Sequence, residues 1–103
     1  MLWHIVRFRF PDDGDPTART ALEEQLAGLH TIPEVRLLRV ARDIDDPQVT
    51  GLLTGFDDEA GLAVYRDHPD HVPVVARARE LCESITRLDI ATDDPSDALP
   101  RTR

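Results

Sequence analysis

The sequence predicts an α+β domain of the ferredoxin-like kind, β-α-β-β-α-β. That is one four-stranded antiparallel sheet with its helices packed on one face. Three observations lead there. The opening LWHIVRFRF alternates with period two, and the closing ITRLDIA is a second β-branched stretch. Two segments with apolar residues at helical spacing follow acidic cap residues and meet prolines. Two further β-rich runs, VRLLRVAR and VTGLLTGF, lie between them. At 103 residues the chain has the length of one domain with a modest core.

In the opening strand His4, Val6, Phe8 and Phe10 share one face, and Trp3, Ile5, Arg7 and Arg9 share the other. Apolar side chains on both faces predict a strand covered on both sides. PDDGDP is a turn, with Asp15 or Thr17 as cap and Pro16 in the first turn of a helix. That helix carries Ala18, Leu22, Gln25 or Leu26, and Leu29 at helical spacing, weakens at Gly28 and stops at Pro33. His30 falls in its last turn as a surface residue. The second strand is expected over Val35 to Arg42, and the third over Val49 to Phe56. The third strand's glycines mark a bulge or a close approach.

Asp57 or Asp58 caps the next helix, which places Leu62 and Tyr65 on one face. Pro69 forbids a smooth continuation. A second helical piece is expected to restart near Pro69 and to turn Val74, Ala78, Leu81 and Cys82 inward. The fourth strand is expected over Ile85 to Ala91. The domain then spans residues 1–91, and residues 92–103 form a polar tail expected to be mobile or to cross onto a partner. The uncovered sheet face would be buried by a second copy, so a homodimer is expected, with Trp3 and Ile5 at its interface.

Composition narrows the function. The net charge is −8, every basic residue is arginine, and the arginines are interleaved with acids. Nucleic-acid and anionic-membrane partners, which need a clustered positive footprint, are not expected. No apolar run approaches the ~20 residues of a membrane helix. The first ten residues read as a strand rather than a signal peptide, so a cytoplasmic protein is expected. Cys82 is the single cysteine, which excludes an internal disulfide and reads as a small buried hydrophobe. His68 and His71 at i, i+3 with Asp67 and Asp70 nearby would supply half a zinc site at most. No H-E-x-x-H or Cys/His pattern is present, so neither a metal nor any other cofactor is expected.

The segments HIVRFRF, FDDEAGLAVYRDHPDH and ITRLDI together resemble the Dabb family, the stress-responsive dimeric α/β-barrel domain, over residues 2 to 91. The resemblance implies a homodimer whose two sheets close into a barrel, with a small pocket between each sheet and its own helices. Most members have no assigned activity. One plant member is a cofactor-independent polyketide cyclase, performing an intramolecular aldol reaction. Its acid/base pair matches Tyr65 and His71, its first-strand histidine matches His4, and its last-strand aspartate matches Asp89. The resemblance thus implies Tyr65, His71, His4 and Asp89 as catalytic residues. Val6, Phe8, Leu22, Leu26, Val74 and Arg87 would line the ligand pocket. That cyclase's pocket is rich in bulky aromatics, whereas Leu22, Leu26, Val74 and Cys82 are small or aliphatic. Arg87 also stands where that pocket is apolar. A smaller or carboxylated ligand is expected, because an arginine fork pairs with carboxylate.

The residue types agree with such chemistry. An imidazole takes a proton near neutral pH, and a phenol donates a hydrogen bond to an enolate oxygen. Tyr65 and His71 lie six residues apart, nearly opposite on an unbroken helix, so the Pro69 break is what brings them to one cavity. Asp89 is expected to orient an imidazole, through either a His4–Asp89 or a His71–Asp89 hydrogen bond. The expected function is a cofactor-independent cyclase, aldolase or lyase step on an enolisable, polyketide-like or carboxylated small molecule. The alternative is a non-catalytic, stress-responsive ligand-binding dimer in which the same residues are structural.

Overall fold

The computed structural model describes residues 1–94. Four strands, β1 (Leu2–Arg9), β2 (Leu37–Arg42), β3 (Val49–Phe56) and β4 (Ser84–Ala91), form one antiparallel sheet in the order β2-β3-β1-β4. Helices α1 (Pro16–Gly28), α2 (Glu59–Asp67) and α3 (Val72–Leu81) complete the expected ferredoxin-like order. The second helical segment is split in two. The last residues of the polar tail, 95–103, lie outside the described residues, while Met1 hydrogen-bonds Thr92 and Asp94.

The local signals act as expected. The Asp15 carboxylate accepts from the Thr17 amide at 2.9 Å, and the Asp58 carboxylate accepts from the Gly61 amide at 3.0 Å. Each cap satisfies an N–H group that the helix leaves without a partner. α1 ends at Gly28 and tightens into a single 3-10 turn, Leu29–Thr31. Several boundaries differ from expectation, with α1 ending at Gly28 short of Pro33 and β4 starting at Ser84 rather than Ile85. β2 begins at Leu37 because the Val35 amide bonds back to the Ile32 carbonyl, which holds that segment in a turn. α3 begins at Val72 rather than near Pro69, with Pro73 in its first turn and Cys82 as its C-cap.

The core lies between the sheet and the helices. Leu2, Val6 and Phe8 of β1 and Leu52 and Phe56 of β3 point into it, against Leu22 and Leu26 of α1 and Leu62 and Tyr65 of α2. Burying a leucine such as Leu22 is worth about 1.5–3 kcal/mol. The register is continuous on both sides of β1, so the glycines of β3 make no bulge. Gly55 faces Trp3 across the strands, and a Cβ there would meet the indole at 3.1 Å. The indole lies over that bare backbone, and a side chain there would force the ring to shift. The opposite sheet face carries Trp3, Ile5, Leu53, Leu88 and Ile90, with Leu88 56% and Ile90 40% exposed.

A polar cluster closes the α1 edge. Glu23 accepts from the buried Thr50 hydroxyl at 2.7 Å and from Arg42 at 2.8 Å, and the Arg19 guanidinium donates to Thr50 at 3.0 Å. Burial alone would push the Glu23 carboxyl up. Hydrogen bonds from Arg42 and Thr50 outweigh it and hold the group below its usual value. A lowered carboxyl contributes stability at neutral pH that is lost as the pH falls through the folded-state value. Glu23→Ala is expected to cost about 2 kcal/mol, since it strands a buried hydroxyl and removes the counter-charge of Arg19. The measurement is the urea midpoint at constant m-value. An unchanged midpoint would show that the cluster is merely tolerated.

Candidate functional site

The site grows out of the break in YRDHPDHVP. The residue before a proline is pushed to extended geometry, and His68, the C-cap of α2, has φ −63° and ψ 136°. The chain turns there. The Asp70 amide donates to His68 Nδ1 at 3.0 Å, and the His71 amide donates to the His68 carbonyl at 2.9 Å. His68 is thereby the brace of the turn, its Nδ1 committed to the backbone. Among the described residues no group of three or more His, Cys, Asp or Glu is placed to hold a metal ion.

The turn delivers Tyr65 and His71 to one place. Their ring centroids lie 4.2 Å apart at 43°. His71 Nδ1 lies 3.0 Å from the Arg66 carbonyl. A carbonyl only accepts, so Nδ1 carries the proton and Nε2 presents a lone pair. Burial holds the imidazole below its ordinary value, although the Arg66 carbonyl pulls the other way; the charges of His4, Arg66 and His68 add to the lowering. His71 is therefore neutral at pH 7 and able to accept a proton. Tyr65 is 1% exposed, and its hydroxyl has no hydrogen-bond partner. Burial pushes its phenol up to about 12, so it stays a donor across the neutral range. A buried hydroxyl without a partner costs stability that most folds avoid.

His4 is held from the neighbouring strand, on the same face of the sheet. β1 and β4 are direct neighbours, with His4 opposite Asp89 in the register. The sequence left that pairing open. His4 Nδ1 donates to Asp89 Oδ1 at 2.5 Å, and the His4 ring meets the Tyr65 ring edge-on with centroids 6.1 Å apart. The other expected pairing, His71 with Asp89, does not form, because the Arg66 carbonyl takes His71 Nδ1.

His4, Tyr65 and His71 line one half-open cavity of about 850 Å³, within the size range of small-molecule sites. Val6, Phe8, Leu26, Leu52 and Leu62 form its apolar wall, and Arg87 stands on the β4 side. Two expected lining residues are elsewhere. Leu22 and Val74 are buried in the core, since each points to the packed side of its helix. Val72, Val75 and Ala76 take that place on α3. Val74 turns into the core, as the helical spacing predicts, and the cavity is lined from the neighbouring side of α3. Arg66 and Arg79 also line the cavity, a role no short-range pattern marks. Cys82 reaches it too, but burial pushes its thiol up to about 11 against a weaker pull from Arg19, so it is no thiolate at neutral pH.

Comparison with known proteins follows the same lines. A family model described as the stress responsive A/B barrel domain matches residues 2–92. No curated protein matches. Among solved structures, a dimeric ferredoxin-like protein of unknown function from Thermobifida fusca is 24% identical, with a TM-score of 0.78 over 88% of this chain and 90% of that one. A dimeric protein of unknown function and ferredoxin-like fold from Bacteroides fragilis is 21% identical, with a TM-score of 0.73 over 88% and 95%. A putative antibiotic biosynthesis monooxygenase from Nitrosomonas europaea is 13% identical, with a TM-score of 0.78 over 91% and 100%. At these identities the structural likeness establishes the fold. Among the described residues no helix is long and apolar enough to cross a membrane.

Proposed function

This chain belongs to the stress-responsive A/B barrel domain family, and on that premise we propose that it is a homodimeric enzyme acting without a cofactor on an enolisable small molecule. The carrying observation is the unpartnered Tyr65 hydroxyl, buried beside a neutral His71 and lining the same cavity. A hydroxyl kept without a partner is a donor reserved for a ligand oxygen.

The step is a proton abstraction next to a carbonyl. The α-carbon's proton passes to His71 Nε2, the C–H electron pair becomes the carbon–carbon double bond, and the carbonyl π pair moves onto oxygen to give an enolate. The Tyr65 O–H donates to that oxygen as its charge grows. The enolate carbon then bonds to a second carbonyl carbon, as in an aldol or cyclase step, and the new alkoxide takes up a proton. His4, fixed by Asp89, is a positioning residue whose ring packs edge-on against Tyr65.

The test needs no knowledge of the natural substrate. Deuterium exchange α to the ketone of 7-oxooctanoate, followed by NMR, is expected to accelerate with the protein. A probe that binds the cavity without exchange would favour the non-catalytic ligand-binding dimer. The pH profile follows from the two shifts. His71 must be unprotonated and its value is lowered, so the acid limb of kcat/KM is expected below pH 6.5. Tyr65 must be protonated, so the basic limb is expected near pH 12. An acid limb above pH 6.5 would remove His71 as the base.

The homodimer rests on the apolar outer sheet face and on relatives described as dimeric. Light scattering at micromolar concentration is expected to give twice the chain mass. A monomer would remove the barrel from the proposal.

A further inference from the structure

The chain carries a net charge of −8, yet three arginines line its cavity. Arg66 of α2, Arg79 of α3 and Arg87 of β4 come from separate elements to line one opening, and all are exposed. Among the described residues, none of these guanidinium groups makes a hydrogen bond or an ion pair. The other described arginines all do, Arg9 with Asp46, Arg36 with Asp57 and Arg77 with Glu80 among them. Glu83 is the single carboxylate along the cavity, and Arg9 holds it at 2.9 Å. In a chain with more acids than bases, leaving three arginines unpaired around one opening concentrates positive potential there. Behind them the wall is apolar, from Val6 and Phe8 through Leu52 and Leu62 to Val75.

We propose that Arg66, Arg79 and Arg87 form an anion-recognising rim, so that the ligand is an organic anion with an apolar body. Its oxyanion head, a carboxylate or a phosphate, sits among the guanidinium groups, which offer paired N–H donors of matching geometry. The apolar body lies along the cavity wall, and the uncharged enolisable end reaches Tyr65 and His71. This names the substrate class of the site proposed above and rests on that reading. The rim also rejects cationic ligands and raises the encounter rate with anionic ones.

The test is calorimetric binding of four probes that share one chain: octanoate, octyl phosphate, 1-octanol and octyltrimethylammonium. Octanoate or octyl phosphate is expected to bind at least ~10-fold tighter than octanol, from charge-assisted hydrogen bonds at a partly wet mouth. Whichever anion binds tighter identifies the head group. Added salt is expected to weaken the anions and leave octanol unchanged. The R66Q/R79Q/R87Q triple variant is expected to bind octanol as the parent does and to lose the anion preference. Tyr65→Phe and His71→Ala are expected to keep it, which separates the rim from the chemistry. Equal binding of octanol and both anions overturns the rim and leaves the cavity's function standing. A triple variant that keeps the preference overturns the assignment to these arginines. If no probe binds, the small-molecule site itself falls, and the rim with it.

Discussion

Replacing His71 with alanine is expected to slow α-proton exchange on a keto-acid probe by about 10²–10⁴-fold, the range a positioned general base supplies. The fold is expected to survive. His71 stands at the junction of α2 and α3, partly buried, and its loss frees one carbonyl, that of Arg66, at a solvent-facing helix end. Water replaces that partner at small cost. Tyr65→Phe sharpens the same test. The hydroxyl it deletes has no partner, so removing it relieves an unmet desolvation cost of about 1 kcal/mol or more. The variant is expected to exchange slowly and to be at least as stable as the parent. Loss of stability together with rate would mean that the hydroxyl holds the core together. Unchanged exchange in His71→Ala would end the acid–base assignment.

Phe56→Ala is expected to be the most damaging single change to the fold. Phe56 is 0% exposed and ends β3 against the Tyr65 ring, with centroids 5.0 Å apart at 61°. Truncating a fully buried phenylalanine costs about 3–5 kcal/mol, the transfer term plus the cavity left behind. Small domains are stable by only about 5–15 kcal/mol. For a chain of this size about 4 kcal/mol lowers Tm by about 20 °C. Circular dichroism measures it. A fall of only a few degrees would mean that the neighbours collapse into the space. Because the same ring packs on Tyr65, exchange activity is expected to fall as well, even at temperatures where the variant stays folded.

These expectations draw on different depths of the sequence. The alternation in LWHIVRFRF, the caps at Asp15 and Asp58 and the weakening at Gly28 act within a few residues, and they sufficed for the order of elements. The Pro69 break was legible for the same reason. The start of α3 was less so, because Pro69 and Pro73 are each acceptable in a first helical turn. The inward positions Val74 and Ala78 were still legible from helical spacing, whereas which neighbouring side of α3 borders the cavity was not.

The sequence by itself determined the β-α-β-β-α-β order, the histidine and tyrosine on either side of a broken helix, and a net charge of −8. Only the tertiary structure decided which side chains meet. His4 bonds Asp89 across 85 residues because β1 and β4 adopt one antiparallel register. His71 turns to the Arg66 carbonyl, a backbone group with no signature in composition. Among the described residues the three arginines of the cavity have no acidic partner, since Glu83, the carboxylate among its lining residues, is taken by Arg9. Periodicity and capping are local forces, written in neighbouring residues. Partnership is set by the packing of distant segments, and a hydrogen bond tolerates a few tenths of an ångström where a helical pattern tolerates a residue.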